Sequence, residues 1–532
     1  MNAQTSYEFG ENYRIVPVEN VNQKFPFAEY DSNGMLHIVW VNQVSSNLNI
    51  YYAQSVDGGI SFSESVRMNS HAHTIVAYMQ SGPKIAIRGN EIVVLFMDDR
   101  SGYTSIYINA SPDGGISWAG DLKVSDQPYL SAYPEFSVGI DNELHLVYYS
   151  YNQNYSLNSV RYSISPQHSS GFSPSVPVGI TSEEMEPCDC CQPDVVIAEN
   201  GDLFIGYRNN ISNQRRHYIV SKLYGEDDFH EPVPISSLSD VIANCPSSGP
   251  SLSIEGNQIA SGFYVSQQNK SYINYASLES LTFTSEVNVY PGSTSQQNFP
   301  EVFLKESTIH TIWIDYRDGN PDIYYAAMEL GASEVTNEQK INNDLENFIH
   351  RDPYLVWGFE NLYSFWSDNR TGDYQIYMSS TGTEIIDSIE VTNLQGWNLV
   401  GLPVEVENSS DIFLFPLSIE GTLYSFTGGY NLETNLTLGE GYWLRFNQPG
   451  SSTITGNSID DLTINLNEGW NLISAITHPV NESDIQDPDS IIISGTLYSF
   501  TPGGYTNTGI FVPGKGYWIR ANNSGSIILT SE

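Results

Sequence analysis

Positive charge is scarce in this chain: 21 Lys and Arg stand against 62 Asp and Glu, a formal net charge of −41 over 532 residues. A surface of that sign repels nucleic-acid phosphates and anionic lipid, so neither is an expected partner. Long apolar runs are absent, which argues against a membrane-spanning helix. Extended amphipathic stretches of helical period are absent too, which argues against a helical bundle. Cysteine is limited to four residues. The opening Met1-Asn2-Ala3-Gln4 carries no basic-then-apolar leader. Because the remainder has an extracellular composition, the expectation is a secreted or cell-surface protein whose signal peptide has been removed. The acids are scattered rather than blocked, as a solubilising surface requires. Turns such as Asp31-Ser32-Asn33-Gly34 are candidate Ca2+ ligands.

Tight-turn formers and aromatics are abundant instead, with 42 Gly, 26 Pro, 35 Tyr, 22 Phe and 9 Trp, the composition of many short strands. A proline opens a short apolar strand seven times, at Pro26, Pro83, Pro134, Pro193, Pro250, Pro300 and Pro353. The intervals are 57, 51, 59, 57, 50 and 53 residues. Each proline is followed by a Gly, Asn or Asp turn and a second strand with an aromatic or apolar end, such as Leu36-His37-Ile38-Val39-Trp40. A third strand such as Ile50-Tyr51-Tyr52 and a fourth such as Phe172 to Val178 complete the unit. Four antiparallel strands at a period near fifty residues describe one propeller blade. The predicted fold is all-β, a seven-bladed β-propeller over residues 1–383. The last unit lacks a fourth strand of its own, and Val16-Pro17-Val18 echoes Val176-Pro177-Val178. Residues near 12–19 are therefore expected to close the ring and remove its open edges.

Two segments between third and fourth strands carry a further signature: Ser55-Val56-Asp57-Gly58-Gly59-Ile60-Ser61-Phe62 and Ser111-Pro112-Asp113-Gly114-Gly115-Ile116-Ser117-Trp118. They resemble the Asp-box hairpins of the sialidase and BNR-repeat superfamily, with Ser in place of Thr. On that resemblance Asp57, Gly59, Phe62, Asp113, Gly115 and Trp118 are structural: the Asp accepts backbone N–H groups, the glycines take positive φ and the aromatic packs into the blade. The resemblance also implies a sialidase-type glycoside hydrolase as one functional reading, which needs arginines gripping a substrate carboxylate. Candidates follow second strands: Asp98-Asp99-Arg100, Asp315-Tyr316-Arg317, Asp368-Asn369-Arg370, and Arg208. This makes Arg100, Arg208, Arg317, Arg370, Asp99, Asp315 and Asp368 the candidate catalytic set. Recurrence at one position of the repeat favours a bracing role over catalysis.

The cysteines fall in two places, Glu186-Pro187-Cys188-Asp189-Cys190-Cys191 before the fourth unit and Asn244-Cys245-Pro246 before the fifth. Both loops enter first strands of neighbouring blades, on the face opposite the Asp-box turns. Two readings compete. Cys188, Cys190, Cys191 and Cys245 pair as disulfides in an oxidising compartment, or they bind copper or zinc as thiolates. His71, His73 and His350 occupy equivalent loops as weaker ligand candidates, whereas His37, His145 and His310 read as ordinary strand residues. A nucleophilic cysteine is a third reading and needs a positioned base.

From about residue 384 the pattern changes. Gly396-Trp397-Asn398-Leu399 recurs at Gly469-Trp470-Asn471-Leu472, Gly421-Thr422-Leu423-Tyr424-Ser425-Phe426 at Gly495 to Phe500, and Gly441-Tyr442-Trp443-Leu444-Arg445 at Gly516 to Arg520. The offsets of 73, 74 and 75 residues mark a tandem duplication, 384–458 and 459–532, of a small β module. It resembles accessory modules of secreted bacterial proteins, for which attachment or sugar binding is implied. Trp397, Trp443, Trp470 and Trp518 are expected in the core rather than as exposed sugar platforms. The functional expectation is a propeller binding a ligand or metal through its cysteine-bearing face, with a glycan as one candidate extracellular ligand. The rivals are the hydrolase and a structural adhesin without a small-molecule site.

Overall fold

A computed structural model describes residues 7–530 except 17–20, 57, 60, 155, 168–170, 179–185, 244–245, 345–347, 359–360, 382–385, 407 and 460. The chain divides into two compact units, Met1–Gly382 and Thr383–Glu532. No helix among the described residues is long and apolar enough to cross a membrane.

In the first unit the described strands form antiparallel sheets of four or five strands. Their first strands lie at Asn22–Tyr30, Lys84–Arg88, Ser131–Val138, Asp194–Ile197, Ser251–Glu255, Gln297–Lys305 and His350–Gly358. First strands of consecutive sheets lie side by side, and His350–Gly358 also lies beside Asn22–Tyr30. The unit is thus a β-propeller. Its last sheet runs Tyr13–Arg14, Gln375–Ser380, Asn361–Asp368, His350–Gly358, so the N-terminal segment supplies the outer strand, with Tyr13 opposite Met378. Val16 packs into the core beside Ile15, while Pro17 and Val18 lie outside the described residues.

The recurring prolines have a mechanical role. Register shifts interrupt the first strands between Lys24 and Phe27, Ala132 and Glu135, Asn298 and Glu301, and Arg351 and Tyr354. Each shift brackets a proline, whose missing N–H is tolerated where the ladder is already broken. The preceding residues Phe25, Tyr133, Phe299 and Asp352 take φ of 56°, 55°, 53° and 54°. The residues after the prolines gather together. Lys84 Nζ meets Glu135 Oε2 at 2.7 Å and lies 4.6 Å from the Phe27 ring centre, and Phe27 packs 4.2 Å from Tyr354. Asp194 and Glu301 feel the charges of Glu135 and Lys84, and Glu301 is hydrogen-bonded to Ser251.

Burial in this ring, with Glu135 adding its charge, pushes Asp194 and Glu29 up to about 7. Burial likewise raises Glu301 to about 7. A carboxyl whose folded pKa is raised contributes stability that is complete below its unfolded pKa and lost as pH rises through the folded one. The first unit should therefore lose stability, on the order of a few kcal/mol, between about pH 4.5 and 7.5. Urea melts across that range should show the decline, and Asp194→Asn with Glu301→Gln should flatten it. An unchanged slope in the double variant would refute this origin.

The hairpin Ser111–Trp118 shows why its residues recur. Ser111 Oγ accepts the Gly115 N–H at 2.8 Å, and Asp113 accepts the N–H of Ser117 at 2.8 Å and its hydroxyl at 2.6 Å. Trp118 is thereby set edge-on to Tyr52 of the preceding sheet at 4.9 Å. Gly115 has φ of +92°, and a Cβ there would come within 2.4 Å of Tyr52 Oη. In the first copy Gly59 N–H donates to Ser55 Oγ at 2.8 Å and Phe62 packs on the core, while Asp57 lies outside the described residues.

In the second unit each copy builds one four-stranded sheet and a two-stranded ladder, and the second copy adds a short ladder of Val480–Asn481 with Ile510–Phe511. The first copy orders Gly396–Gly401, Gly441–Phe446, Leu423–Phe426 and Tyr430–Glu433, with Ile386–Asn393 paired to Gly450–Asn457. The second orders Gly469–Ser474, Gly516–Ala521, Tyr498–Thr501 and Gly504–Asn507, with Asp461–Leu466 paired to Gly525–Thr530. Each sheet buries one face in its own core, around Leu423, Tyr442 and Leu444 or Leu497, Tyr517 and Ile519. The opposite faces meet at Leu399, Leu472 and Trp518. The recurring Gly-Tyr-Trp glycine belongs to this seam: a Cβ on Gly441 would lie 2.5 Å from Ile473 O, and one on Gly516 2.8 Å from Val400 O. The tryptophan expectation needs correction. Trp518 is buried in the seam, but Trp397 and Trp470 are 40% and 43% exposed.

Candidate functional site

The segment Glu186–Cys191 runs along the end of the strand Leu203–Ile211 before entering Asp194–Ile197. Cys188 N–H donates to Arg208 O at 2.6 Å, Asn210 N–H to Glu186 O at 2.6 Å, and Pro187 bridges Asn209. A turn then returns the Cys191 N–H toward Cys188 O at 3.5 Å. That turn crowds three sulfurs within 4.8 Å of one another. Cys188 Sγ lies 3.9 Å from Cys190 Sγ and 3.4 Å from Cys191 Sγ. Cys190 is in a disulfide, whereas Cys188 and Cys191 are buried thiols. Cys245 lies outside the described residues. One of these three sulfurs is thus oxidised, as the disulfide reading expects, and the other two are thiols.

The two thiols are not equivalent. The Cys191 thiol donates to Cys188, and the guanidiniums of Arg215 and Arg208 favour its thiolate, so Cys188 falls to about 7 against the opposing effect of burial. Arg215 donates directly to Cys188 Sγ. Burial, with the neighbouring Cys188 charge, pushes Cys191 well above the ordinary thiol range. Arg208 is itself buried and donates to Asp240, which also accepts the N–H groups of Ser266 and Gln267 at 3.0 and 2.8 Å. Tyr151 closes one side, its hydroxyl donating to Asp189 O at 2.6 Å. A thiolate flanked by a second thiol and a disulfide can bind a soft metal ion or undergo thiol–disulfide exchange. Arg215 and Asp240 were missed in the sequence. The one available signal was a pair of arginines, Arg215-Arg216, in a chain so poor in cations.

The other arginine candidates form a different, repeated device. Asp98, Asp315 and Asp368 each accept the backbone N–H of the arginine two residues on, at 2.8, 2.9 and 2.8 Å. The same carboxylates hold the guanidiniums of Arg100, Arg317 and Arg370 at 2.5, 2.7 and 2.6 Å. Each guanidinium lies over a tyrosine of the third strand, Tyr107, Tyr324 or Tyr377, at 4.5, 3.8 and 4.3 Å. Trp313 and Trp366 donate their indole N–H to Asp315 and Asp368. Asp99 is not the residue holding Arg100. That is Asp98, whose alternation on the strand turns its side chain inward with Phe96. Each of these arginines is thus held by an aspartate two residues before it in its own sheet.

The histidines divide by position. His71 is exposed and its Nδ1 meets Arg100 at 2.8 Å, and His73 is exposed at φ of 67°. Neither belongs to a group of potential metal ligands among the described residues. His350 is buried among Asp322, Asp344 and Asp368, at 3.2, 3.0 and 3.2 Å. Their hydrogen bonds raise it to about 11 against the effect of burial. Asp344, His350 and Asp368 form the second group of potential metal ligands among the described residues, and His350 Nδ1 also lies 3.0 Å from Pro321 O. His37, His145 and His310 each meet a tyrosine hydroxyl through Nδ1, at 2.7, 2.7 and 2.8 Å, in the same repeat position. Asp31 spends one carboxylate oxygen on the N–H groups of Asn33 and Met35, at 2.9 and 2.8 Å, and its other oxygen meets the Asn33 amide, the pattern of an Asx turn.

Fold and site together define a β-propeller with a buried, electropositively flanked cysteine loop, followed by a duplicated β unit. No family model matches the chain, and no curated protein matches it. Among solved structures it is similar to a protein of unknown function from Dyadobacter fermentans, at 13% identity over 71% of this chain and 99% of that one, with a TM-score of 0.44. It is also similar to a PL25 polysaccharide lyase, an ulvan lyase, at 10% identity over 69% and 96%, with a TM-score of 0.48. The α-L-arabinofuranosidase Arb93A from Fusarium graminearum aligns at 12% identity over 61% and 99%, with a TM-score of 0.41. None of these three likenesses reaches a TM-score of 0.5, so the roles of residues rest on the geometry alone.

Proposed function

We propose that the first unit is a complete seven-bladed propeller closed by its N-terminal strand, related to the sialidase-like propellers through its Asp-box hairpins. On this reading it acts outside the cell, where the Cys188 and Cys191 thiols bind a soft metal ion, Cu(I) in preference to Zn2+, beside the Cys190 disulfide. The observation that carries the reading is the approach of three sulfurs to within 4.8 Å, one of them biased toward thiolate. Thiolate sulfur selects Cu(I), and the absence of imidazole from this group among the described residues disfavours the mixed Cys/His sets common for Zn2+. A disulfide at Cys190 fits an oxidising compartment. The sialidase-type hydrolase is the weaker reading, because each candidate arginine is already paired with an aspartate of the chain. An adhesin without a small-molecule site leaves the Cys188 thiolate bias without a purpose.

Protein with its Cys190 disulfide intact, titrated anaerobically with Cu(I) against a competing chelator, should take up copper and gain thiolate-to-copper charge-transfer absorbance. Cys188→Ser should weaken uptake at least about tenfold, a loss of roughly 1.4 kcal/mol of binding. If the chelator retains all the copper, the metal reading fails. If Cys188→Ser binds as tightly as the parent, the site lies elsewhere.

A further inference from the structure

The seam of the second unit creates two clefts that one copy alone could not form. One is lined by Trp397, Tyr424, Tyr430 and Trp443 of the first copy and by Phe500 of the second, with a volume of ≈ 400 Å³. The other is lined by Trp470, Tyr498, Tyr505 and Trp518 of the second copy and by Phe426 of the first, at ≈ 390 Å³. The duplication relates them position by position, so all five aromatic positions are aromatic in both copies. Packing in the seam accounts for Trp518, Phe426, Trp443, Tyr498 and Phe500, but not for Trp397, Trp470, Tyr430 and Tyr505, which are 40%, 43%, 58% and 54% exposed. Clustered apolar surface left in water marks an interaction site.

The geometry narrows the ligand. Trp397 stands at 87° to Trp443, and Trp470 at 89° to Trp518, so each cleft has one ring as floor and another as wall. Arg445 lies directly across the ladder from Trp397, and Arg520 across from Trp470. Both arginines are exposed, and Arg520 reaches within 6.0 Å of the Trp470 ring centre. They are two of only three basic residues between positions 383 and 532. An arginine beside each exposed indole, in a unit otherwise so acidic, disfavours a cationic ligand by like charge. A purely apolar ligand would leave the guanidinium donors unused. A pyranose fits both features: its C–H face rests on the negative face of the indole, and its hydroxyl or carboxylate edge meets the guanidinium fork. The volumes suit a small ligand of this kind.

We propose that these clefts are a pair of equivalent saccharide sites, through which the second unit holds a polysaccharide bivalently. The proposal is independent of the metal reading for the propeller. Two sites on one chain raise avidity for a polymer without new contacts.

Calorimetry and tryptophan fluorescence on the full chain, with a neutral gluco-oligosaccharide in one arm and an oligogalacturonate in the other, test it. Binding of one or the other at two sites per chain is expected. Trp397→Ala should leave one site, and Trp397→Ala with Trp470→Ala should leave none, while thermal unfolding of the propeller is unchanged. Arg445→Ala with Arg520→Ala should weaken the oligogalacturonate about tenfold or more and the neutral sugar little, if the acidic ligand is the one bound. The more conservative Trp470→Phe should retain part of the affinity, which separates lost stacking from lost folding. Absence of binding to both sugars by the parent protein overturns the proposal. So does sugar binding that survives the double tryptophan variant, or cleft occupancy by tetramethylammonium in place of either sugar.

Discussion

Replacing His350 with leucine is expected to destabilise the propeller by about 3–5 kcal/mol at neutral pH, the usual cost of removing one partner from a buried ionic group. His350 holds together Asp322 and Asp368, at the ends of two strands, and Asp344 of a loop, and it is fully buried. Lys340 at 2.9 Å from Asp322, and Arg370 at 3.3 Å from Asp344, compensate only in part. The pH dependence has a definite sign. The folded pKa of His350 is raised to about 11, so its contribution is complete below about pH 6.5 and lost only as pH rises through 11. Its imidazolium is among the groups that hold Asp322, Asp344 and Asp368 below the ordinary carboxylate range, against the opposing effect of burial. Their contribution is present above about pH 4 and disappears as pH falls through their depressed values. In His350→Leu the same carboxylates stay protonated to higher pH. The deficit should therefore be largest near pH 7 and shrink below about pH 4. Urea unfolding of both proteins at pH 7 and pH 4 measures it. A deficit no smaller at pH 4 would show that lost packing, not charge, is what the histidine supplies.

Arg208→Met should be nearly as costly and should also reach the cysteines. The buried guanidinium offsets Asp240, and removing it leaves a carboxylate held by two backbone N–H groups alone, again at about 3–5 kcal/mol. Because Arg208 also helps hold down the Cys188 thiol, that thiol should titrate above its present value of about 7 in the variant. Arg215 remains in contact, so the rise should be partial, and Arg215→Met should raise it further. Thiolate absorbance followed against pH, with Cys191→Ser as background, reports the shift. A Cys188 titration identical in all three proteins would remove the arginines from the site's electrostatics and weaken the metal reading with it.

The repeat was legible because its determinants are local. Seven prolines spaced near fifty residues mark the first strands: Pro26, Pro134, Pro300 and Pro353 sit within them where a bulge already breaks the ladder, and Pro83, Pro193 and Pro250 directly precede them. Turn chemistry at Ser111–Trp118 and the offsets of 73 to 75 residues in the tail are likewise local patterns. The loops bearing the candidate arginines could be placed by the same logic, although the choice of Asp99 over Asp98 went astray because only strand alternation separates them.

What the sequence by itself determined was therefore the period, the strands and the duplication, each written in residues a few positions apart. Tertiary structure alone decided which sulfurs remain thiols, and that Arg215, 27 residues from Cys188, would bias one of them. It decided that Lys84, Glu135, Asp194 and Glu301, each following a proline in a different repeat, would meet. It decided, too, that two copies of one module would pack face to face and leave aromatic rings uncovered at each end of the seam. Pairings of that kind depend on how whole sheets approach one another, which no short-range pattern encodes. Their energies come from burial and charge at the contact rather than from the propensity of any one segment.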